Sequence, residues 1–296
     1  MLLFVTQISL LDEEAFGRAS TLLKEAKVNS MPFGGVRVIV VGDFAQLPTV
    51  HCNEPRPPLL FDHDSWNECD FHIVYLSQKR RCEDDGSWAV LQELRLHVPS
   101  RRRLSGLAST MLRSLVVTAN CMFDGAHPVT HLFARRDEAD AFNLSMLSNL
   151  PGQEIQVNAS DLFEPFLDIM TCVTSNPNIE LLTKALDRGV LARSTVCIKD
   201  GALVVLICSL RQIHPLLTKG VTGSIVHVQD GPPLLVRVQF KLPDPYGVIC
   251  VDLSNDVEFS VMSNFAGVDY LLTRRSLPLL LGWGLTIHSS QGMTLP

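Results

Sequence analysis

The 296-residue chain has no C-x-x-C pair, no uncharged apolar run of 18 residues and no GxxxxGK[ST] loop. Eight cysteines lie scattered at positions 52, 69, 82, 121, 172, 197, 208 and 250. Without paired spacing they read as reduced thiols of an intracellular protein, not as a disulfide scaffold or a zinc finger. The thickest patch of potential ligands is His51, Cys52, His63, Cys69, His72 and Cys82, whose spacing matches no common finger. It reads as buried thiols and surface histidines, so no metal is assigned. The strongest apolar stretch, SLPLLLGWGLTI, is short and interrupted by Pro278 and two glycines, which excludes a helical membrane span. Met1 runs at once into strand-like sequence without a basic leader, so no signal peptide is read and the chain starts as if inside a domain. Positive charge is also short, with Lys and Arg at 25 against Asp and Glu at 31, a net charge of −6. Binding to nucleic acid through overall charge is therefore disfavoured, and any such contact must be local. The densest basic cluster, Arg101 to Arg103 with Arg95 upstream, serves equally well as a solvated loop.

What is present is an α/β pattern. Hydrophobic residues make up 46% of the chain, enough for two domains with cores of their own. Leu2 to Val5 has the all-apolar character of a buried parallel strand. Asp12 is placed to cap a helix whose first turn holds Glu13 and Glu14 and whose apolar residues recur from Phe16 to Ala26. PFGG then turns the chain into a second apolar strand, Val36 to Val41, which stops at Gly42-Asp43. The two strands and their helix form a βαβ unit, and in open parallel sheets chemistry gathers where strands end. A short helix is expected from Phe61 to Glu68, a third strand in FHIVYLS, and a helix from Ser87 to about His97. VTHLF reads as a strand and RDEADAFNLSMLSNL as a helix stopped by Pro151-Gly152. From Ala202 onward short β segments follow one another (ALVVLICS, SIVHVQ, LLVRVQF, GVICVDL, VEFSVM), which suggests a small antiparallel barrel inserted between α/β pieces.

Several segments, in order, then point further. PFGGVRVIVVGDFAQLPTV resembles motif III of the petite-integration-frequency family of DNA helicases, departing only at Thr49, where the family has a second proline. LPLLLGWGLTIHSSQGMTL resembles the family's TIHKSQGMTL segment, with Ser289 in place of its lysine. ISLLDEEAF, LSQKRRC and LFARRDEADAFNLSMLSNLPGQ resemble further family segments, and together they span nearly the whole chain. The resemblance implies two RecA-like parallel-sheet domains, the first incomplete, with a small β-barrel insert in the second. The expected boundaries are 1–78 for the later part of the first domain, 79–205 for the first part of the second, 206–268 for the insert and 269–296 for the return segment. ATP with Mg²⁺ would bind between the domains, and single-stranded or forked DNA would cross them. The implied activity is 5′-to-3′ ATP-dependent unwinding, in the service of DNA repair, recombination and telomere maintenance. In a eukaryote it would reside in the nucleus or mitochondrion.

The resemblance also assigns roles residue by residue. Gly42, Asp43, Gln46, Arg81 and Gln291 fall at nucleotide-binding positions, with Gln46 and Arg81 coupling to the terminal phosphate. Phe44, Arg135, Arg136, Thr286, His288 and Ser289 fall at DNA-facing positions. In the family, the first strand here ends in Asp-Glu, the pair that holds the metal and positions the attacking water. Those places are Thr6 and Gln7 in this chain. Thr6 carries no charge to offset Mg²⁺, and the Gln7 amide is too weak a base to take a proton at neutral pH. Each loss is worth on the order of a hundredfold or more in rate. The NGSRG-like turn is likewise altered, to Lys219-Gly220-Val221-Thr222-Gly223, and the phosphate loop is missing. The expectation is a fragment or relic of a helicase that does not hydrolyse ATP alone; the alternative is a non-catalytic module that binds DNA or a partner.

Overall fold

The computed structural model describes residues 1–49, 59–78, 84–100, 103–116, 129–166, 178–229, 231–242, 245–265 and 268–293. Side chains are described for these residues except 96–100. The chain divides into two compact units, residues 1–122 and 123–296.

The first unit is built on the expected βαβ element. Strand β1 (Leu2–Thr6), helix α1 (Glu13–Lys27) and strand β2 (Arg37–Val41) follow in order, and the strands pair in parallel from Leu2↔Arg37 to Thr6↔Val41. Asp12 starts α1 because its carboxylate accepts from the backbone N–H groups of Glu14 and Ala15, which would otherwise be left without partners. The PFGG turn is anchored to that helix. The buried Ser20 hydroxyl accepts from the Phe33 N–H at 3.1 Å. Gly34 adopts a φ of +61° so close to the helix that a β-carbon would lie 2.3 Å from the Leu23 carbonyl oxygen, a position open to glycine alone. Short helix α2 (Asp64–Asn67) and longer helices α3 (Asp85–Ser100) and α4 (Gly106–Ser114) complete the unit. Ile8, Phe16, Phe33 and Leu60 form its buried core, with Leu3, Val5, Val38 and Val40 packed against them.

The other face of the two-stranded sheet is uncovered. Leu2, Phe4, Ile39 and Val41 are exposed, as alternation at period two requires when one face alone has a partner layer. The third strand expected in FHIVYLS does not form. Residues 71–77 belong to no strand, and Ile73, Val74, Tyr75 and Leu76 are exposed. Apolar composition alone cannot make a strand; a neighbouring edge must receive its N–H and C=O groups, and none among the described residues does so.

The second unit is richer in strands. β3 (His131–Phe133) leads into α5 (Arg136–Ser148), followed by β4 (Ile155–Asn158), β5 (Ser160–Phe166), α6 (Ile179–Gly189), β6 (Thr195–Ile198) and β7 (Leu203–Leu206). Then come β8 (Thr222–Gln229), β9 (Leu235–Lys241), β10 (Val248–Leu253), β11 (Val257–Phe265), β12 (Val268–Ser276), β13 (Leu279–Leu281), β14 (Gly284–Thr286) and α7 (Ile287–Ser290). β14 and β3 pair in parallel, and β4 pairs with β6 antiparallel. The β-rich stretch forms two antiparallel sheets, one ordered β10-β9-β8-β7-β13 and the other β11-β12-β5. The alternating pattern of β9, Val236, Val238 and Phe240 inward with Arg237 and Gln239 outward, marks one face as core. Helix α6 arises in a stretch of mixed composition, started by the Asn178 side chain and held by buried Leu182 and Leu186.

A fully buried guanidinium ties this unit together. Arg274, on β12, donates two bonds of 2.7 Å to the Asp161 carboxylate on β5, one of 2.7 Å to Asp187 on α6, and one of 3.0 Å to the Ala192 carbonyl. A bidentate carboxylate and two further acceptors satisfy a charge that could not otherwise be held at 0% exposure. Both carboxylates keep some contact with solvent, so the loss on removing the cation sits at the lower end of the range for buried pairs. Arg274→Met is expected to lower the unfolding free energy by about 3 kcal/mol, measured by urea denaturation. Combined with Asp161→Asn it should cost less than the sum of the single variants, because both remove the same bonds.

Candidate functional site

The residues singled out in the first unit converge at the carboxyl ends of β1 and β2. Thr6 closes β1 opposite Val41, and both it and Gln7 are exposed. Gln7 takes left-handed backbone angles (φ 54°, ψ 48°), which turn the chain sharply into Ile8–Leu10. Gly42 lies against that corner. A β-carbon there would lie 2.7 Å from the Ile8 amide nitrogen, so glycine lets the two strand ends approach. Asp43 opens a four-residue turn that closes at Gln46. One carboxylate oxygen accepts from the Ala45 N–H, the Asp43 carbonyl accepts from the Gln46 N–H, and the Gln46 amide donates weakly to the second carboxylate oxygen at 3.4 Å. Arg95 on α3 then pairs with Asp43 at 2.6 Å. Phe44 packs edge-on against Phe61 and Trp66, with ring centroids 5.0 and 5.8 Å apart, which holds it on the aromatic side of the unit while leaving it partly exposed.

This arrangement does not fit a magnesium–nucleotide centre. The groups at the end of β1 are neutral, and the nearby carboxylate of Asp43 is engaged by Arg95, Ala45 and Gln46. Among the described residues no group of three His, Cys, Asp or Glu side chains is placed to hold a metal ion. Arg81 lies outside the described residues. Arg95 lies upstream of the arginine cluster in the sequence, and its pairing with Asp43 depends on how α3 packs, which no spacing in the sequence discloses.

The second unit collects a different set. Arg135 pairs with Asp137 at the solvent face, through bonds of 3.1 Å. Arg136 opens α5 and donates to the Asp187 carbonyl at 2.8 Å, with no ion pair among the described residues. Burial and the neighbouring Arg193 cation lower the affinity of Arg136 for its proton, against the opposing pull of Asp140 and Asp187. Thr286 caps α7, its hydroxyl accepting from the Ser289 N–H and bonding the Ser289 hydroxyl at 2.8 Å. His288 is exposed, and Gln291 follows at the end of the helix.

Arg136, Thr286 and Ser289 line a cavity of about 340 Å³ between α5, β6 and the β13–β14 segment. Its buried wall includes Ala139, Val196, Leu281 and Leu285. Arg193 joins the lining and pairs with Asp140 at 2.8 Å. One wall is fixed by Asn143, whose buried amide both donates to the Gly284 carbonyl and accepts from the Gly284 N–H, each at 2.7 Å. Asn143 was not picked out from the sequence, although a signal exists: it sits between Ala139 and Leu147 at i, i+4 spacing, a polar residue within a buried stripe. Arg193 and Asp140 carry no such mark.

No family model matches the chain. Against curated proteins, it is 29% identical over 294 residues to "ATP-dependent DNA helicase PIF1" of Danio rerio, covering 99% of this chain and 41% of that protein. The human protein of the same name is 28% identical over 295 residues, again at 99% and 41% coverage. The Bdellovibrio bacteriovorus helicase Pif1 is 27% identical over 295 residues, at 98% and 58%. The chain thus spans about two fifths of the length of its vertebrate relatives. Among solved structures, Pif1 helicase from Candida albicans superposes with a TM-score of 0.71 at 23% identity, covering 99% of this chain and 65% of that one. Pif1 helicase from Bacteroides in complex with ADP-AlF3 and ssDNA gives 0.63 at 18%, covering 99% and 62%. The mixed α/β fold with RecA-like parallel pairing is shared with these structures.

The close approach at Gly42 gives a test of the local geometry. Gly42→Ala forces a β-carbon onto the Ile8 backbone and is expected to destabilise the first unit by about 1–3 kcal/mol, read from urea unfolding. The sequence likeness to Pif1 helicases runs along nearly the whole chain, and the fold agrees with it.

Proposed function

We propose that this chain is a single-strand DNA-binding module of helicase architecture, descended from an ATP-dependent 5′-to-3′ DNA helicase, and that its 296 residues do not hydrolyse ATP by themselves. The observation that carries this reading is the end of β1, where Thr6 and Gln7 occupy the strand terminus and Asp43 nearby is tied to Arg95. A motor that splits ATP needs a charge to hold the metal and a group to position the attacking water. Neutral side chains at that terminus keep the strand and its packing while withholding the charge. No GxxxxGK[ST] segment occurs in the sequence to cradle the phosphates.

The DNA side of the reading draws on the relatives, which are named as DNA helicases, and on a solved neighbour named as bound to single-stranded DNA. Residues 1–78 serve as the later part of a first RecA-like domain, 79–205 and 269–296 as the second, and 206–268 as its β insert. Arg136, Thr286, His288 and Ser289 supply strand contacts, with Phe44 and Arg135 adding to them. By resemblance, Gly42, Asp43, Gln46, Arg81 and Gln291 fall at sequence positions that bind nucleotide in those helicases. The processes served by the ancestral activity are DNA repair, recombination and telomere maintenance, in a nucleus or mitochondrion.

Two measurements test the proposal. Phosphate release by the purified chain, with ATP, Mg²⁺ and a saturating oligonucleotide, is expected to stay at the level of a protein-free control; steady turnover overturns the reading. Fluorescence anisotropy with a labelled single strand is expected to show affinity that falls about tenfold or more between about 50 and 200 mM salt, the loss for roughly three phosphate contacts. Absence of binding at low salt removes the DNA-binding part.

A further inference from the structure

We propose that the cavity beside α5 holds one nucleotide unit, its base against the aliphatic wall and its phosphate at Arg136. This rests on the strand-binding reading and sharpens it, since contacts to a bare phosphate backbone would need no cavity. Three observations support it. The volume of about 340 Å³ lies at the small end of ligand pockets, suited to one ring system with its sugar and not to a longer ligand. The buried lining is mainly aliphatic, as the face of a base prefers, whereas Arg136 at the exposed margin donates to a backbone carbonyl and has no ion pair among the described residues, the nearby Asp140 and Asp187 being held by Arg193 and Arg274. The remaining charges at the margin, Arg193 and Asp140, neutralise one another at 2.8 Å. One positive charge beside an apolar wall is the complement of one phosphate beside one base. Asn143 spends one amide proton and one oxygen lone pair on Gly284, which fixes that wall of the cavity.

Cys197 also lines the cavity and supplies a probe that does not depend on activity. Burial and a hydrogen bond with Glu154 raise its thiol above the usual range, so alkylation by iodoacetamide is followed at alkaline pH, with each cysteine resolved by peptide mass spectrometry. The ligands are dAMP, deoxyribose 5-phosphate, an eight-residue deoxythymidine strand and the corresponding abasic strand. The base-bearing forms are expected to slow Cys197 labelling at least about tenfold at saturation, and the abasic forms to leave it unchanged. Arg136→Ala should weaken that protection by about tenfold or more, the worth of a charge-assisted bond, while Arg136→Lys, which keeps the charge, retains part of it. Thermal unfolding of both variants, at an exposed position, serves as the folding control. Protection by the strand assigns the cavity to single-stranded DNA, and protection by dAMP alone assigns it to a free nucleotide. Strand binding with equal affinity for base-bearing and abasic forms, and no protection of Cys197, overturns the cavity proposal while leaving the DNA-binding function in place. Failure of any strand to bind, with dAMP still protective, sinks that function and not the cavity.

Discussion

The second unit depends on one buried cation. Arg274 bridges a strand, a helix and the loop that follows that helix, through Asp161, Asp187 and the Ala192 carbonyl. Because Asp187 is held in this way, its backbone carbonyl is in place to receive Arg136, the first residue of α5. The guanidinium in the core thus positions the one at the cavity. Buried ion pairs add little net stability compared with apolar packing, but they do choose one arrangement among many. Here the arrangement chosen brings the start of α5 beside α6 and sets Arg136 at the cavity margin.

In the first unit the constraint is steric. The two parallel strands end together because Gly42 lets the Ile8 backbone pass within contact. In an ATP-splitting enzyme that crowding would bring acidic groups to one place. In this chain it gathers a threonine, a glutamine and an aspartate already paired with an arginine. Packing and catalysis make separate demands on the same strand: burial of Leu3 and Val5 needs only apolar side chains, whereas metal binding needs charge at the terminus. The two demands are separable, which is how a helicase likeness along the chain coexists with neutral side chains at that strand end.

The uncovered face of β1 and β2 shows the limit of local reasoning in another way. Leu2, Phe4, Ile39 and Val41 are as apolar as their buried neighbours on the opposite face. Hydrophobicity marked both faces as core, and packing supplied a layer to one. The same holds for residues 71–77, whose composition suits a strand and which find no neighbouring edge among the described residues.

Local chemistry decided a good part of this protein unaided. The cap at Asp12, the turn at PFGG, both parallel strands and helix α5 could be read directly, because caps, turns and periodicity act over a few residues. Ordered motifs likewise carried the likeness to DNA helicases along nearly the whole chain. Tertiary structure decided the rest. That Arg95 reaches Asp43, that Asn143 clamps Gly284, and that Arg136 and Arg193 share one cavity all join residues distant in the chain. Such contacts follow from the order and register of the strands, which depend on the whole pattern of burial, and no short stretch of sequence contains that information.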